Sequence, residues 1–295
     1  MAAGGPTFLI IGAPKSGTTA LYRWLQQHPD VFMPDNKQPH YFAGIRPDFR
    51  GPGDVAFNRD IVTDRTRYMD LFAPGAGRTA LGEASPFYMH YAKAAAPAIR
   101  AAFPDCRLVV LLREPVARAW AGYLHLVRDG RERGSFRQAL DQEAERLARR
   151  WEPLWGHKAL GLYGEQLSTV LEAFPRDQVG VWLYDEMRAD PRRLFAEVCR
   201  FIGVDDGFMP NFSHHNTGGV PRLPGLHRLL VAMKVPHMAK RLLPEPWAQW
   251  VVARYLQRRP PAPEIASELS SYFAADRALL ASLLPDLNLA AWARG

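Results

Sequence analysis

The chain has 295 residues, of which 47% are hydrophobic and 23% charged, with a net charge of +7 and a pI near 9.6. This is globular composition, long enough for one large core and too short for two generous domains. The mild basic excess fits an anionic ligand as well as plain solubility, but no dense Lys/Arg tract with interleaved aromatics makes it a nucleic-acid binder.

Residues 7–11 form a short apolar run that suits a buried strand, and it ends at Gly12. Ala20, Leu21, Trp24 and Leu25 then follow helical spacing, and the helix should stop before Pro29. Residues 30–78 are rich in Pro, Gly, Asp and Arg and predict an irregular excursion with one short helix near 65–72. A short strand at 79–82, a helix over 92–103 and a buried strand over 107–112 come next. Pro115 sits where a first helical turn tolerates it, and opens a helix to about 127. Helices are expected over 136–149 and 161–174, a strand over 178–184, and a helix from 191 to 201. Residues 203–224 predict a long loop, 225–262 a pair of surface helices, and 262–285 a last helix.

Strands alternating with helices predict a three-layer, doubly wound, mostly parallel α/β sheet. We expect residues 1–295 to form a single domain, with 30–78 and 203–262 as excursions that wall the acceptor site and cover it. Ligands of such folds bind beyond the carboxyl ends of the strands. Here those ends deliver Gly12 to Thr19, Glu83, Arg113, and Tyr184 with Asp185.

The two cysteines, Cys106 and Cys199, lack CxxC spacing and a histidine cluster, so neither a disulfide framework nor a zinc site is expected. No run of 18 apolar residues occurs and the N-terminus lacks a charged leader. The expectation is a cytoplasmic protein without integral membrane association.

The segment Gly12-Ala13-Pro14-Lys15-Ser16-Gly17-Thr18-Thr19 joins a strand to a helix N-terminus. Unpaired N–H groups and the positive end of the helix dipole favour an anion there. Lys15 adds a full charge, and Thr18 and Thr19 add hydroxyl donors. This is a P-loop-like phosphate-binding loop, but a Walker A loop would read Gly-Lys where this one reads Gly-Thr. A Walker B strand would end in Asp to help hold magnesium, whereas the strand at 107–112 runs into Arg113. An arginine there suits a second anionic group, gripped by a fixed fork of donors, and no metal is expected. On helical position alone Arg118 reads as a solvated residue.

Lys15-Ser16-Gly17-Thr18-Thr19 after a strand resembles the 5′-phosphosulfate loop of sulfotransferases that use PAPS (3′-phosphoadenosine 5′-phosphosulfate). Leu112-Arg113-Glu114-Pro115-Val116-Ala117-Arg118-Ala119 resembles their 3′-phosphate site. The likeness continues through Lys37-Gln38-Pro39-His40-Tyr41-Phe42, Gly82-Glu83-Ala84-Ser85-Pro86-Phe87-Tyr88 and Val181-Trp182-Leu183-Tyr184-Asp185-Glu186-Met187, and into the tail from Pro263 to Trp292. The pattern is closest to the branch that holds heparan-sulfate-type and many bacterial members.

The resemblance implies that PAPS is the donor, that PAP is the product, and that a small-molecule hydroxyl, on a carbohydrate or secondary metabolite, is the acceptor. It implies that Lys15 stabilises the leaving phosphate, that Ser16, Gly17, Thr18 and Thr19 donate to the phosphosulfate, and that Arg113 grips the 3′-phosphate. Gly219 and Arg222 would belong to a loop that closes over the nucleotide. Ala121 stands where the family keeps a 3′-phosphate serine, Gln38 where the heparan-sulfate branch keeps its base, and Ala84 where that branch has a lysine.

Since glutamine cannot take a proton usefully, the base must lie elsewhere. His40 is the first candidate, because its ordinary pKa suits proton transfer near neutral pH. Glu83, at a strand's ligand edge, is the second. Lys37, Gln38, His40, Tyr41, Phe42, Phe87 and Tyr88 are candidate acceptor-site residues. Two other readings stay open: a P-loop small-molecule kinase, and a catalytically inactive PAP-binding protein.

Overall fold

The computed structural model describes residues 4–212, 220–221, 256–257 and 260–294. Its centre is a five-stranded parallel sheet in the order β2-β3-β1-β4-β5, formed by β1 (Phe8–Gly12), β2 (Val31–Phe32), β3 (Ala80–Glu83), β4 (Arg107–Leu112) and β5 (Val179–Leu183). This is the P-loop-type α/β fold. β1, β3 and β4 are buried almost throughout, which is why their sequences run apolar instead of alternating.

The strand side chains sort onto two faces. Phe8, Ile10, Val109 and Leu111 pack with α1 (Thr18–Leu25) and α10 (Pro191–Ile202). Leu9, Ile11, Leu108, Val110 and Leu112 pack on the other face with α4 (Ala92–Ala102) and α8 (Tyr163–Ala173). Each such fully buried side chain contributes about 1.5–3 kcal/mol, so the sheet is the stable frame from which the loops project.

The other helices are α2 (Asp54–Asp60), α3 (Arg65–Asp70), α5 (Pro115–Arg128), α6 (Phe136–Asp141), α7 (Glu143–Ala148), α9 (Tyr184–Ala189), α11 (Pro263–Tyr272) and α12 (Ala274–Leu283). A two-residue antiparallel pair, β6 (Val220–Pro221) with β7 (Leu256–Gln257), brings residues 220–221 against α5. No helix among the described residues is long and apolar enough to cross a membrane.

Several boundaries differ from the sequence expectation. The helix expected over 136–149 breaks at Gln142, where α6 ends and α7 begins. The break turns Glu143 inward, and its carboxylate accepts the N–H groups of Lys158 and Ala159. The last helix likewise divides at Phe273, a fully buried ring. That placement lets Asp276 of α12 accept the Gly164 and Glu165 N–H groups at the start of α8. No Pro or Gly marks either break. In the 30–78 excursion, β2 and α2 were not expected. Asp54 opens α2 with its carboxylate buried, bonded to Arg131 and to the Gly51 and Glu152 N–H groups.

Candidate active site

The strand ends meet as the fold class requires. β1 leads into the 12–19 loop, β3 ends on Glu83, β4 is followed by Arg113, and β5 runs into α9 at Tyr184. β1 lies between β3 and β4, so its loop is central and the other groups flank it.

Gly17 holds φ 94° as the residue that starts α1, a left-handed conformation that costs glycine least. A Cβ there would meet the Met187 Sδ at 2.7 Å, so close packing also demands glycine. No side chain caps α1, and its first turn holds no acid. The positive end of the helix is thus left for a ligand. The Ser16 hydroxyl is buried with no hydrogen-bond partner.

Lys15 stands in the loop at φ 69°. Crowding by protein atoms pushes its pKa down to about 8, and the charges of Arg128, Arg113 and Arg118 act the same way, against Asp129. Lys37 donates from Nζ to the Thr19 Oγ1 at 2.7 Å. Burial, with the Lys15 charge beside it, brings its pKa to about 7. Two lysines that are reluctant to stay charged are a place where a polyanion would be welcome.

Arg113 leans on the Tyr184 ring, its guanidinium carbon 4.8 Å from the centroid, and its Nη1 donates to the Lys15 carbonyl at 3.4 Å. It therefore spans the gap between the end of β4 and the loop after β1. Glu114 caps α5, accepting the Val116 and Ala117 N–H groups at 2.9 and 2.6 Å. The α5 terminus is neutralised by its own chain, and Arg113 stands beside it as a cation. Ala121 lies half-buried on α5.

Arg118 is corrected by the structure. It is fully buried, not solvated, and donates to the His157 carbonyl, while its Nε and Nη1 have no partner. Burial lowers its pKa.

Glu83 and His40 share the floor of the site. Glu83 is fully buried, with Ser85 and Tyr88 beside its carboxylate. Burial raises its pKa to about 8; the Tyr88 and Ser85 hydroxyls approach closely enough to hold it from rising further. His40 is almost fully buried, with its ring 4.8 Å from that of Phe57 and 5.6 Å from that of Phe87. That apolar setting lowers its pKa to about 3, and the Lys37 charge adds to the effect. Its Nδ1 has no partner, and its N–H donates to the Ser85 Oγ at 3.0 Å.

The aromatic candidates separate. Phe87 lies against His40. Phe42 and Tyr88 belong to the core beneath α4, where the Phe42 N–H donates to the Tyr88 hydroxyl at 3.4 Å. Tyr41 stacks on Tyr68, with centroids 4.4 Å apart. Tyr41 and Phe42 thereby face a different cavity, of about 400 Å³, against α4. Gln38 is half-buried beside Lys37. Gly219 and Arg222 lie outside the described residues.

Sequence reasoning missed His125, on the far half of α5. Burial lowers its pKa to about 3, with the Lys15 charge the next cause. Helical spacing, four residues on from Ala121, would have put it on the same face of α5.

A model of the Sulfotransferase family matches residues 6–207, a span that holds every element just described from β1 to the end of α10. The chain belongs to that family. It is similar to the crystal structure of a sulfotransferase from Alicyclobacillus acidocaldarius, at 35% identity and a TM-score of 0.79, over 98% of this chain and 99% of that one. It is also similar to heparan sulfate glucosamine 3-O-sulfotransferase 3B1 of Mus musculus, 28% identical over 200 residues, 68% of this chain and 46% of the relative. Carbohydrate sulfotransferase 15 of Rattus norvegicus is 29% identical over 171 residues, 46% of this chain and 30% of the relative. The chain thus spans less than half the length of these two curated relatives.

Proposed function

We propose that the protein transfers the sulfonate of PAPS to a hydroxyl of a small acceptor. The observation that carries this reading is the uncapped, lysine-bearing N-terminus of α1, with Arg113 reaching toward it from the end of β4. That pairing suits a ligand with two separated anionic groups, the phosphosulfate on the loop and the 3′-phosphate at the arginine.

The chemistry needs little covalent help. The acceptor oxygen attacks sulfur in line, the bond from sulfur to the bridging oxygen breaks, and charge develops on that oxygen. Lys15 and the α1 N–H groups stabilise this charge. Lys37, held by Thr19, adds a second cation on the side of Glu83.

Glu83 is the base that this geometry favours over His40. A carboxyl with a pKa near 8 is a strong proton acceptor once ionised. His40 is neutral, but its depressed pKa makes it a poor acceptor. Its unpartnered Nδ1 suits orienting the acceptor hydroxyl. A carbohydrate or a secondary metabolite is the proposed acceptor, supported by the names of the carbohydrate-directed relatives.

Calorimetric titration tests the donor. PAP should bind tightly without added metal, and ATP with magnesium should bind weakly. The reverse result would make the protein a nucleotide-dependent kinase and end this reading.

A further inference from the structure

Arg113 reaches the loop after β1 with its side chain, but its main chain is held from elsewhere. β4 ends at Leu112, so the Arg113 carbonyl stands past the last ladder pair with β5 and needs another partner. The hydroxyl of Tyr163, the first residue of α8, donates to it at 3.0 Å. We infer that Tyr163 is a positioning residue for the donor, one that sets Arg113 through its peptide group and is itself held by the C-terminal helices. The inference rests on the proposed donor reading, in which Arg113 takes the 3′-phosphate.

The choice of acceptor separates Tyr163 from an ordinary core tyrosine. It is fully buried, and a buried phenol needs a hydrogen-bond partner. Its partner is the residue whose side chain joins the end of β4 to the phosphate loop, through the Lys15 carbonyl. Ser16 of that loop and Arg118 of α5 lie beside the same hydroxyl. One phenol oxygen thus stands between the two halves of the site. A guanidinium on a long stem passes any rotation of its peptide on to its fork, and a two-pronged grip tolerates little misplacement.

The phenol keeps its place because α8 begins on a fixed footing. Leu162, which precedes the helix, gives it no side-chain cap. The Asp276 carboxylate of α12 does so instead, accepting the Gly164 and Glu165 N–H groups at 2.9 Å each. A Cβ at Gly164 would meet the Asp276 carbonyl oxygen at 2.5 Å, so the two chains meet at backbone distance and glycine is required. The buried Trp292 ring lies 6.1 Å from the Tyr163 ring, and its carbonyl accepts from Arg277 of α12 at 3.0 Å. α12 therefore holds the first turn of α8 by its N–H groups and the Tyr163 ring by way of Trp292.

Tyr163→Phe tests this, since it removes the hydroxyl and keeps the ring. Calorimetric titration should show PAP affinity about fivefold to tenfold weaker, as for the loss of one hydrogen bond. A hydroxyl that served stability alone would lower the thermal midpoint and leave the affinity as it was. In an Arg113→Ala background the same substitution should cost less than about twofold, because the side chain it places is gone. Asp276→Asn is the second variant, and carries the test if Tyr163→Phe does not fold. It should weaken PAP binding by about twofold to fivefold, and lose that effect in the Arg113→Ala background. Unchanged PAP affinity in Tyr163→Phe, or an equal loss with and without Arg113, would overturn the inference while leaving the donor reading intact. A wild-type protein that binds no PAP would end the donor reading and this inference with it.

Discussion

Two helices start beside each other after neighbouring parallel strands, and their N-termini have opposite fates. α1 follows β1 with no cap and no acid in its first turn, and lysines stand around it. α5 follows β4 and is closed by the Glu114 carboxylate, which takes two of its N–H groups. The same local fold thus leaves an open helix end in one place and a sealed one in the other. At α5 recognition falls to one side chain, Arg113, while at α1 it is spread over backbone, hydroxyls and Lys15. The α1 site should therefore carry the chemistry and the α5 site mainly affinity.

The largest effect is expected at α1. Lys15→Ala should lower turnover about 10²–10³-fold, since it removes a positive charge from the leaving oxygen. Near-normal turnover by this variant would mean that the reaction runs elsewhere.

Next comes the base. Glu83→Gln should lower kcat by about 10²-fold or more and abolish the rise of the rate toward pH 8. The same group affects stability with a definite sign. Its folded pKa of about 8 lies above the ordinary 4.5, so the folded state keeps a proton that the unfolded chain has released. Stability should fall as pH rises from about 4.5 to about 8, and the substitution should flatten that fall. Denaturation midpoints at three pH values would show it. An equal slope in both proteins would mean that Glu83 is not buried as a neutral acid.

Arg113→Ala should weaken PAP binding by about 10–10²-fold, with a smaller effect on turnover at saturating donor. Equal losses of affinity and turnover would break the division between the two helix ends. Proton uptake sharpens it further. Lys15 and Lys37 have pKa values of about 8 and about 7 without ligand, so at pH 8 both are partly neutral. A polyanion at α1 raises both, and PAP should take up about one proton on binding at that pH. Calorimetry in two buffers of different ionisation enthalpy reads it directly, and a value of zero would place the anion away from the lysines.

The sheet was legible because buried parallel strands write themselves as apolar runs, as Arg107–Leu112 does. The phosphate loop was legible because glycine, lysine and threonine can be read as loop chemistry without a structure. Arg118 was not: nothing in its spacing separates a solvated arginine from one enclosed beside His157. The breaks at Gln142 and Phe273 were hidden for a related reason. They are made by the distant partners of Glu143 and Asp276 and not by local breakers. The rank of the two bases depends on burial. Sequence gives His40 the more suitable ordinary pKa, while the structure pushes His40 down to about 3 and Glu83 up to about 8.

The smallest effect expected concerns Ala121. The family's serine there would add one hydroxyl donor to the group that faces the 3′-phosphate. Arg118 is fully buried, with one nitrogen donating to the His157 carbonyl. On the proposed donor reading, with Glu114 occupying the α5 N–H groups, Arg113 would be left to hold that phosphate with little help. Ala121→Ser should tighten PAP binding a few-fold, as one hydrogen bond to a charged group contributes about 1.5–3 kcal/mol at best and less when half-exposed. The gain should vanish in an Arg113→Ala background if the phosphate is no longer held within reach. An undiminished gain would mean that the serine acts without the arginine, and the 3′-phosphate would then belong to another part of the α5 surface.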